Sequence, residues 1–122
     1  TERVRFLGWR DDTAALMAAA DVVVVPSRRE PLGNVVIEAW AAGVAVAATA
    51  SEGPGALITD DETGVLVPVD DARALAAAMR RLAQDKALAA RLTAAGRAAY
   101  DAEFSETRVV ALYRDFLERV AR

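Results

Sequence analysis

Apolar residues along the chain follow two patterns, short runs typical of strands and longer stretches with helical spacing. The clearest run is Val22–Val25, four consecutive valines, which is typical of a strand buried on both faces of a parallel sheet. Shorter apolar runs lie at residues 44–48 and 65–67, and residues 4–7 alternate with charge before Gly8; each of these segments predicts a further strand. The pattern therefore predicts about four strands.

Helical spacing of apolar residues covers most of the remaining chain. The predicted helices span residues 13–20, 34–42, about 72–83 and 86–100, and a last helix starts at Ser105. Aspartates at 11–12 and 70–71 are predicted to cap the first and third of these helices. Gly43 provides a C-terminal stop for the second of them. The apolar face of the last helix consists of Val109, Leu112, Phe116 and Val120. The Gly-rich segment 51–55 predicts a loop, and residues 56–59 predict a single helical turn.

Strands that alternate with helices predict an α/β protein with a parallel sheet flanked by helices. About four strands make a small sheet for a doubly wound fold, so the sequence predicts a partial Rossmann-like domain. We therefore expect residues 1–122 to be an incomplete domain of a larger protein.

Composition narrows the classes of function. A chain of 122 residues with 54% hydrophobic and 27% charged residues is typical of one folded domain. Its net charge of −3 argues against a nucleic-acid partner, because a phosphate backbone needs a basic surface. The absence of Cys and His removes thiol chemistry, the commonest general base and the commonest metal ligand. The longest apolar runs are far shorter than a membrane span.

The joint between the valine strand and the next helix is the segment most informative about function. Its order is strand, loop, Gly33 and helix, which places free backbone N–H groups at the carboxyl end of a buried strand. Gly33 allows a ligand to approach the backbone closely, and the N–H groups that follow are suited to a diphosphate. A glycine before a helix also occurs in plain turns, so the residues alone leave both interpretations open.

Two glutamates, eight positions apart, flank this joint. Glu30 lies in the loop, where its carboxylate can accept hydrogen bonds from sugar hydroxyls or stabilise positive charge during bond cleavage. The alternative is a solvated loop residue that pairs with Arg28 or Arg29. Glu38 lies four residues after Asn34 on the same helix face and points toward the helix start. There it can bind both hydroxyls of a ribose, or simply lie on the exposed face of the helix.

Three other features lie near the expected ligand edge of the sheet. Segment 53–55, Gly-Pro-Gly, can line the same crevice, although we favour a plain turn. Trp9 and Arg10 follow the first predicted strand, so they either contact a base or belong to an ordinary loop. Trp40 has helical spacing from Val36, which favours a position in the core.

In their order along the chain, these motifs resemble those of the C-terminal nucleotide-sugar-binding domain of the GT-B fold retaining glycosyltransferases, family GT4. The similar segments are residues 4–8, 20–27, 30–39, 42–43 and 63–68, so the resemblance covers nearly the whole chain. Glu30 and Glu38 fit the Glu-x7-Glu motif of that family. Two positions depart from its pattern, since Ala45 stands where Pro is usual and Ala56 where Glu is common.

The resemblance implies a separate role for each residue of the joint. Glu30 would contact the donor sugar near the reaction centre, as the catalytic residue, and Glu38 would bind the ribose hydroxyls. Arg10, in the loop after the first predicted strand, would border the base. The substrate would be a nucleotide diphosphate sugar, and neither a metal nor another cofactor is expected. The amides that meet the sugar and the diphosphate would be those of Gly33, Asn34 and Val35.

The resemblance also implies an activity for the parent enzyme. It would transfer a hexose or similar sugar, with retention of configuration, to a glycan or lipid-linked acceptor of the bacterial cell envelope. That acceptor would bind an N-terminal domain, and the enzyme would work in the cytoplasm at the inner face of the membrane. We expect residues 1–122 alone to be inactive and to self-associate through an unpaired strand edge. Two alternatives stay open: a non-catalytic binding module, and another GT-B enzyme such as a nucleotide-sugar epimerase.

Overall fold

Three parallel strands form a single sheet in the computed structural model, which describes residues 2–122. The strands are β1 (Val22–Val25), β2 (Ala45–Thr49) and β3 (Val65–Val67), in the spatial order β1-β2-β3. The helices are α1 (Thr13–Ala19), α2 (Asn34–Ala42), α3 (Glu52–Leu57), α4 (Ala72–Gln84), α5 (Lys86–Ala99) and α6 (Glu106–Val120). A π-helical turn, Tyr100–Phe104, joins α5 to α6. The predicted α/β class with a parallel sheet is confirmed.

The central strand β2 is buried along its whole length. Its side chains alternate between the two faces of the sheet, as strand geometry requires. One face packs against α4 and α5, and its buried residues include Ala45, Ala47, Leu82 and Leu92. The other face packs against α2, and its buried residues include Val46, Ala48, Val36 and Ala39. Helices on both faces leave the carboxyl ends of the strands as the edge open to ligands.

Trp40 is a core residue, as its spacing predicts. Only 2% of it is exposed, and its indole N–H donates a hydrogen bond to the carbonyl of Thr63 at 3.0 Å. The ring packs so closely on Gly96 that a Cβ at that position would lie 2.4 Å from Trp40 Cδ1. The ring of Phe104 lies 6.2 Å away, between centroids. This tryptophan therefore joins α2, α5 and the π-helical turn into one unit.

The prediction of a fourth strand is wrong, because residues 4–7 are not paired with any strand. A strand needs a neighbour for its N–H and C=O groups, and within residues 2–122 the outer edge of β1 carries no partner. The side chains of this segment are exposed, and Phe6 is 98% accessible. Trp9, which follows it, is 97% accessible.

The prediction of a loop at residues 51–55 is also wrong. These residues form most of α3, in which the N–H of Gly55 donates to the carbonyl of Ser51 at 2.8 Å. Pro54 is tolerated because it lies in the first turn, where a backbone N–H has no helical partner. The single turn predicted at 56–59 is therefore the end of a helix that starts earlier.

The apolar face of α6 lies in solvent instead of in the core. Phe116 and Leu117 are 54% and 60% exposed, and Val120 is 68% exposed. The helix begins as predicted, with the Ser105 side chain accepting a hydrogen bond from the N–H of Arg108. Its main packing partner is the π-helical turn that precedes it. Within the described part of the chain, no helix combines the length and the apolar character needed to cross a membrane.

Candidate functional site

The first turn of α2 lies just beyond the carboxyl end of β1, as the sequence predicts. The chain enters the helix through Gly33, whose φ of 77° lies in the left-handed region that favours glycine. A Cβ at this position would also lie 2.9 Å from Leu57 Cδ1. Gly33 is therefore required both by its backbone conformation and by the close approach of α3.

Two backbone N–H groups at this end of α2 are free to bind a ligand. The carbonyl of Gly33 accepts from the N–H groups of Val36 and Ile37, at 3.0 and 3.4 Å. The N–H groups of Asn34 and Val35 have no acceptor among residues 2–122, and both residues are exposed. Unpaired N–H groups at the positive end of a helix are suited to an anion such as phosphate.

The carboxylate of Glu30 lies beside these amides. Its Oε1 accepts from the N–H of Gly33 at 3.0 Å and from that of Leu32 at 3.3 Å. No ion pair joins it to Arg28 or Arg29 among the described residues, so the alternative of a loop ion pair is wrong. Its Oε2 has no hydrogen-bond partner within residues 2–122, which leaves one oxygen available to a ligand.

Glu38 lies one turn after Asn34 on α2 and is exposed. It lines a groove of about 360 Å³ between α1 and α2. The other residues of that groove are apolar: Ala14, Met17, Ala18, Ala41 and Ala42. The geometry thus places the Glu38 carboxylate in an apolar groove, on the same helix as the free amides. Both interpretations of Glu38, as a ribose-binding residue and as an exposed surface residue, fit this position.

Arg10 is not brought into contact with these groups. Its Nε donates to Asp12 Oδ1 at 2.6 Å, and the guanidinium lowers the pKa of that carboxyl group. The Asp12 side chain makes no capping hydrogen bond to α1, so the predicted cap is wrong. Because α1 packs on α2, Arg10 lies at the start of the helix that forms the other wall of the Glu38 groove.

The segment that starts α3 packs directly on the loop of Glu30. The N–H of Gly53 donates to the carbonyl of Glu30 at 2.6 Å, and Glu52 Oε2 accepts from the N–H of Glu30 at 3.4 Å. A Cβ at Gly53 would lie 2.5 Å from the carbonyl carbon of Leu32 and 2.6 Å from the nitrogen of Gly33. The sequence favours a plain turn here, and a glycine at the carboxyl end of a second strand is its one indication of a role at the site.

A second cavity, of about 360 Å³, lies on the other side of the loop. It contains the ion pair between Arg28 Nε and Asp70 Oδ1, at 2.5 Å, which raises the pKa of Arg28. Thr49 Oγ1 donates to the carbonyl of Ser27 at 2.6 Å. These contacts tie the start of the loop to β2 and to the turn before α4.

No group of three or more acidic side chains in residues 2–122 is placed to hold a metal ion.

The fold and the matched sequence define the class of protein. The chain belongs to the family described as glycosyl transferases group 1, whose model matches residues 1–85. It is 42% identical over 115 residues to the lipopolysaccharide core biosynthesis glycosyltransferase LpsE of Rhizobium meliloti, an alignment that covers 94% of this chain and 34% of that protein. The chain therefore spans about a third of the length of the curated relatives that it matches.

Solved structures show the same fold. The Anabaena protein HepE, crystallised with UDP, superposes with a TM-score of 0.88 at 30% identity, over 98% of this chain and 32% of that one. The C-terminal domain of a group 1 glycosyltransferase from Francisella tularensis, LpcC, gives a TM-score of 0.75 at 26% identity, over 84% and 53% of the two chains. The predicted resemblance to the C-terminal domain of GT-B glycosyltransferases is confirmed.

Proposed function

We propose that this chain is the donor-binding part of a glycosyltransferase that transfers a hexose-type sugar from a nucleotide diphosphate sugar. The observation that carries the proposal is the pair of free N–H groups at Asn34 and Val35. They lie beside the carboxylate of Glu30, whose Oε2 has no hydrogen-bond partner within residues 2–122. Family membership supports the reaction class, and structures of HepE with UDP and with UDP-glucose support the ligand class.

Each group of the site has a distinct task in this proposal. The amides of Asn34 and Val35 bind the diphosphate and stabilise the negative charge that grows on it as the glycosidic bond breaks. Glu30 Oε2 accepts a hydrogen bond from a sugar hydroxyl and faces the positive charge that develops on the sugar ring. Glu38 accepts hydrogen bonds from the ribose hydroxyls, and Arg10 borders the base.

We propose a matching activity for the whole enzyme. Transfer proceeds with retention and without an obligatory metal ion, to a glycan or lipid-linked acceptor held by an N-terminal domain. The names of two relatives, both lipopolysaccharide core biosynthesis glycosyltransferases, support an acceptor of the cell envelope. The enzyme works in the cytoplasm at the inner face of the membrane, and residues 1–122 alone are inactive. A screen of the full-length protein for glycoside products tests this, since free epimerised nucleotide sugar or no product at all would contradict transfer.

Replacing Glu38 by alanine in the full-length enzyme is expected to weaken binding of the nucleoside diphosphate about tenfold, because two hydrogen bonds to the ribose are lost. Isothermal titration calorimetry measures the affinity. Glu62→Ala, which removes an exposed carboxylate from the turn before β3, is the matched control and should bind normally. Unchanged affinity in Glu38→Ala would refute the ribose role.

The isolated chain is expected to self-associate as its concentration rises. The outer edge of β1 has no strand partner within residues 2–122, and the apolar face of α6 is exposed. Light scattering from micromolar to millimolar concentration measures the mass. A variant with Phe116→Glu and Leu117→Glu distinguishes the two surfaces, because only association through α6 would be lost. A monomer throughout this range would contradict the prediction.

A further inference from the structure

Glu52 lies where it can control the position of Glu30 without touching the donor. We propose that Glu52 is a positioning residue for Glu30, acting through the Glu30 main chain; this inference rests on the proposed function. The peptide groups on either side of Glu30 are bound by consecutive residues of α3. Glu52 Oε2 accepts from the Glu30 N–H at 3.4 Å, and the Gly53 N–H donates to the Glu30 carbonyl at 2.6 Å.

The two segments touch main chain to main chain, so a movement of one displaces the other. A Cβ on Gly53 would lie 2.7 Å from the carbonyl oxygen of Glu30, and a Cβ on Gly33 would lie 3.2 Å from the nitrogen of Pro54. Within the described residues, the bond from Glu30 to Glu52 is the one side-chain hydrogen bond that joins residues 30–33 to 51–55. Glu52 therefore provides the one side-chain bond in a contact that is otherwise main chain to main chain.

The surroundings of the Glu52 carboxylate favour its charged form. Its pKa is lowered by its own backbone N–H, then by the Glu30 N–H, and then by the charge of Arg29. A charged acceptor makes a stronger hydrogen bond to a backbone N–H than a neutral one. Because Glu52 fixes the backbone of Glu30, it sets the direction in which the Glu30 side chain leaves the loop toward the amides of Leu32 and Gly33.

Three variants of the full-length enzyme test the proposal: Glu52→Ala, Glu52→Gln, and the control Glu62→Ala, which removes an exposed carboxylate elsewhere. Glu52→Ala is expected to lower kcat about tenfold, while KM for the donor changes less than about twofold and Tm is unchanged. Glu52→Gln keeps an acceptor oxygen and should recover most of kcat. If Glu52 only stabilised the fold, Glu52→Ala would lower Tm and would not lower kcat selectively at a nearly constant KM.

A second measurement uses the 122-residue chain and needs no activity. In ¹⁵N-resolved NMR spectra, the Glu30 amide should move upfield in Glu52→Ala, as expected for a lost hydrogen bond, while the amide of Val46 in the core stays in place. An unmoved Glu30 amide or an unchanged kcat would overturn the proposal. A tenfold higher KM at normal kcat would overturn it too, because Glu52 would then bind the donor directly. If the wild-type enzyme binds no nucleotide sugar, the proposed function fails, and the Glu30 amide still tests the positioning contact.

Discussion

Glu30→Gln in the full-length enzyme is expected to lower turnover about a hundredfold while leaving affinity for the free nucleoside diphosphate within about threefold of normal. The amide of glutamine retains an oxygen that can accept from Gly33 and Leu32, so the loop keeps its conformation. In the proposed reaction, the substitution removes the negative charge that faces the developing positive charge of the sugar. The affinity of the nucleotide part is preserved because Asn34, Val35 and Glu38 are unchanged.

Steady-state kinetics and calorimetry on the same preparations check this prediction. Glu118→Gln is the matched control, because Glu118 is an exposed acid on α6, away from the α2 amides. Wild-type turnover in Glu30→Gln would contradict the catalytic role. A loss of nucleotide affinity as large as the loss of turnover would reassign Glu30 to ground-state binding.

Trp40→Ala is expected to destabilise the chain by about 3–5 kcal/mol. The substitution removes a ring that is 2% exposed and leaves a cavity between α2, α5 and the π-helical turn. It also leaves the carbonyl of Thr63 without its indole donor. Since domains of this size are stable by only about 5–15 kcal/mol, the variant should be partly unfolded at 37 °C.

Urea denaturation followed by circular dichroism measures the free energy of unfolding. Trp9→Ala is a stringent control, because the side chain of Trp9 is 97% exposed and its removal should change stability by less than about 0.5 kcal/mol. Equal destabilisation by the two variants would contradict the assignment of Trp40, and not Trp9, to the core.

The elements that the sequence predicts correctly carry their signals within a few residues. Four valines predict β1, and glycines in the left-handed conformation bound α2 at Gly33 and Gly43. The Asp71 side chain caps α4 by accepting from the N–H of Ala74, as its position before an apolar stripe indicates. These features need no knowledge of the rest of the chain.

The wrong predictions share a dependence on distant parts of the molecule. Alternation at residues 4–7 predicts a strand, but a strand forms only where a neighbour supplies hydrogen bonds. Glycine and proline at 53–55 predict a loop, but close packing on the Glu30 loop stabilises a helix there. The apolar face of α6 predicts burial, and within the described residues no other element covers it.

In the candidate site, too, the sequence predicts the local features and not those that depend on distant residues. The spacing of Glu30 and Glu38 and the glycine between them predict one acid on the loop, one on the helix, and free amides between them. The structure places Glu30 beside these amides and Glu38 in a groove on the same helix. The sequence does not indicate a role for Glu52, which lies 22 residues from Glu30 along the chain, and it favours a plain turn at Gly53. The hydrogen bonds of Glu30 Oε1 likewise follow from loop geometry, which residue types alone do not determine.

The most direct test of the donor site is an NMR titration of the ¹⁵N-labelled chain with UDP-glucose, GDP-mannose and ADP-glucose, at up to millimolar ligand concentration so that weak binding is also detected. We expect one of these ligands to shift the amides of Asn34 and Val35 most strongly, with smaller shifts near Glu38. In Glu38→Ala the same amides should shift only at higher ligand concentration. Saturating shifts confined to other parts of the chain, with Asn34 and Val35 unmoved, would contradict the donor site.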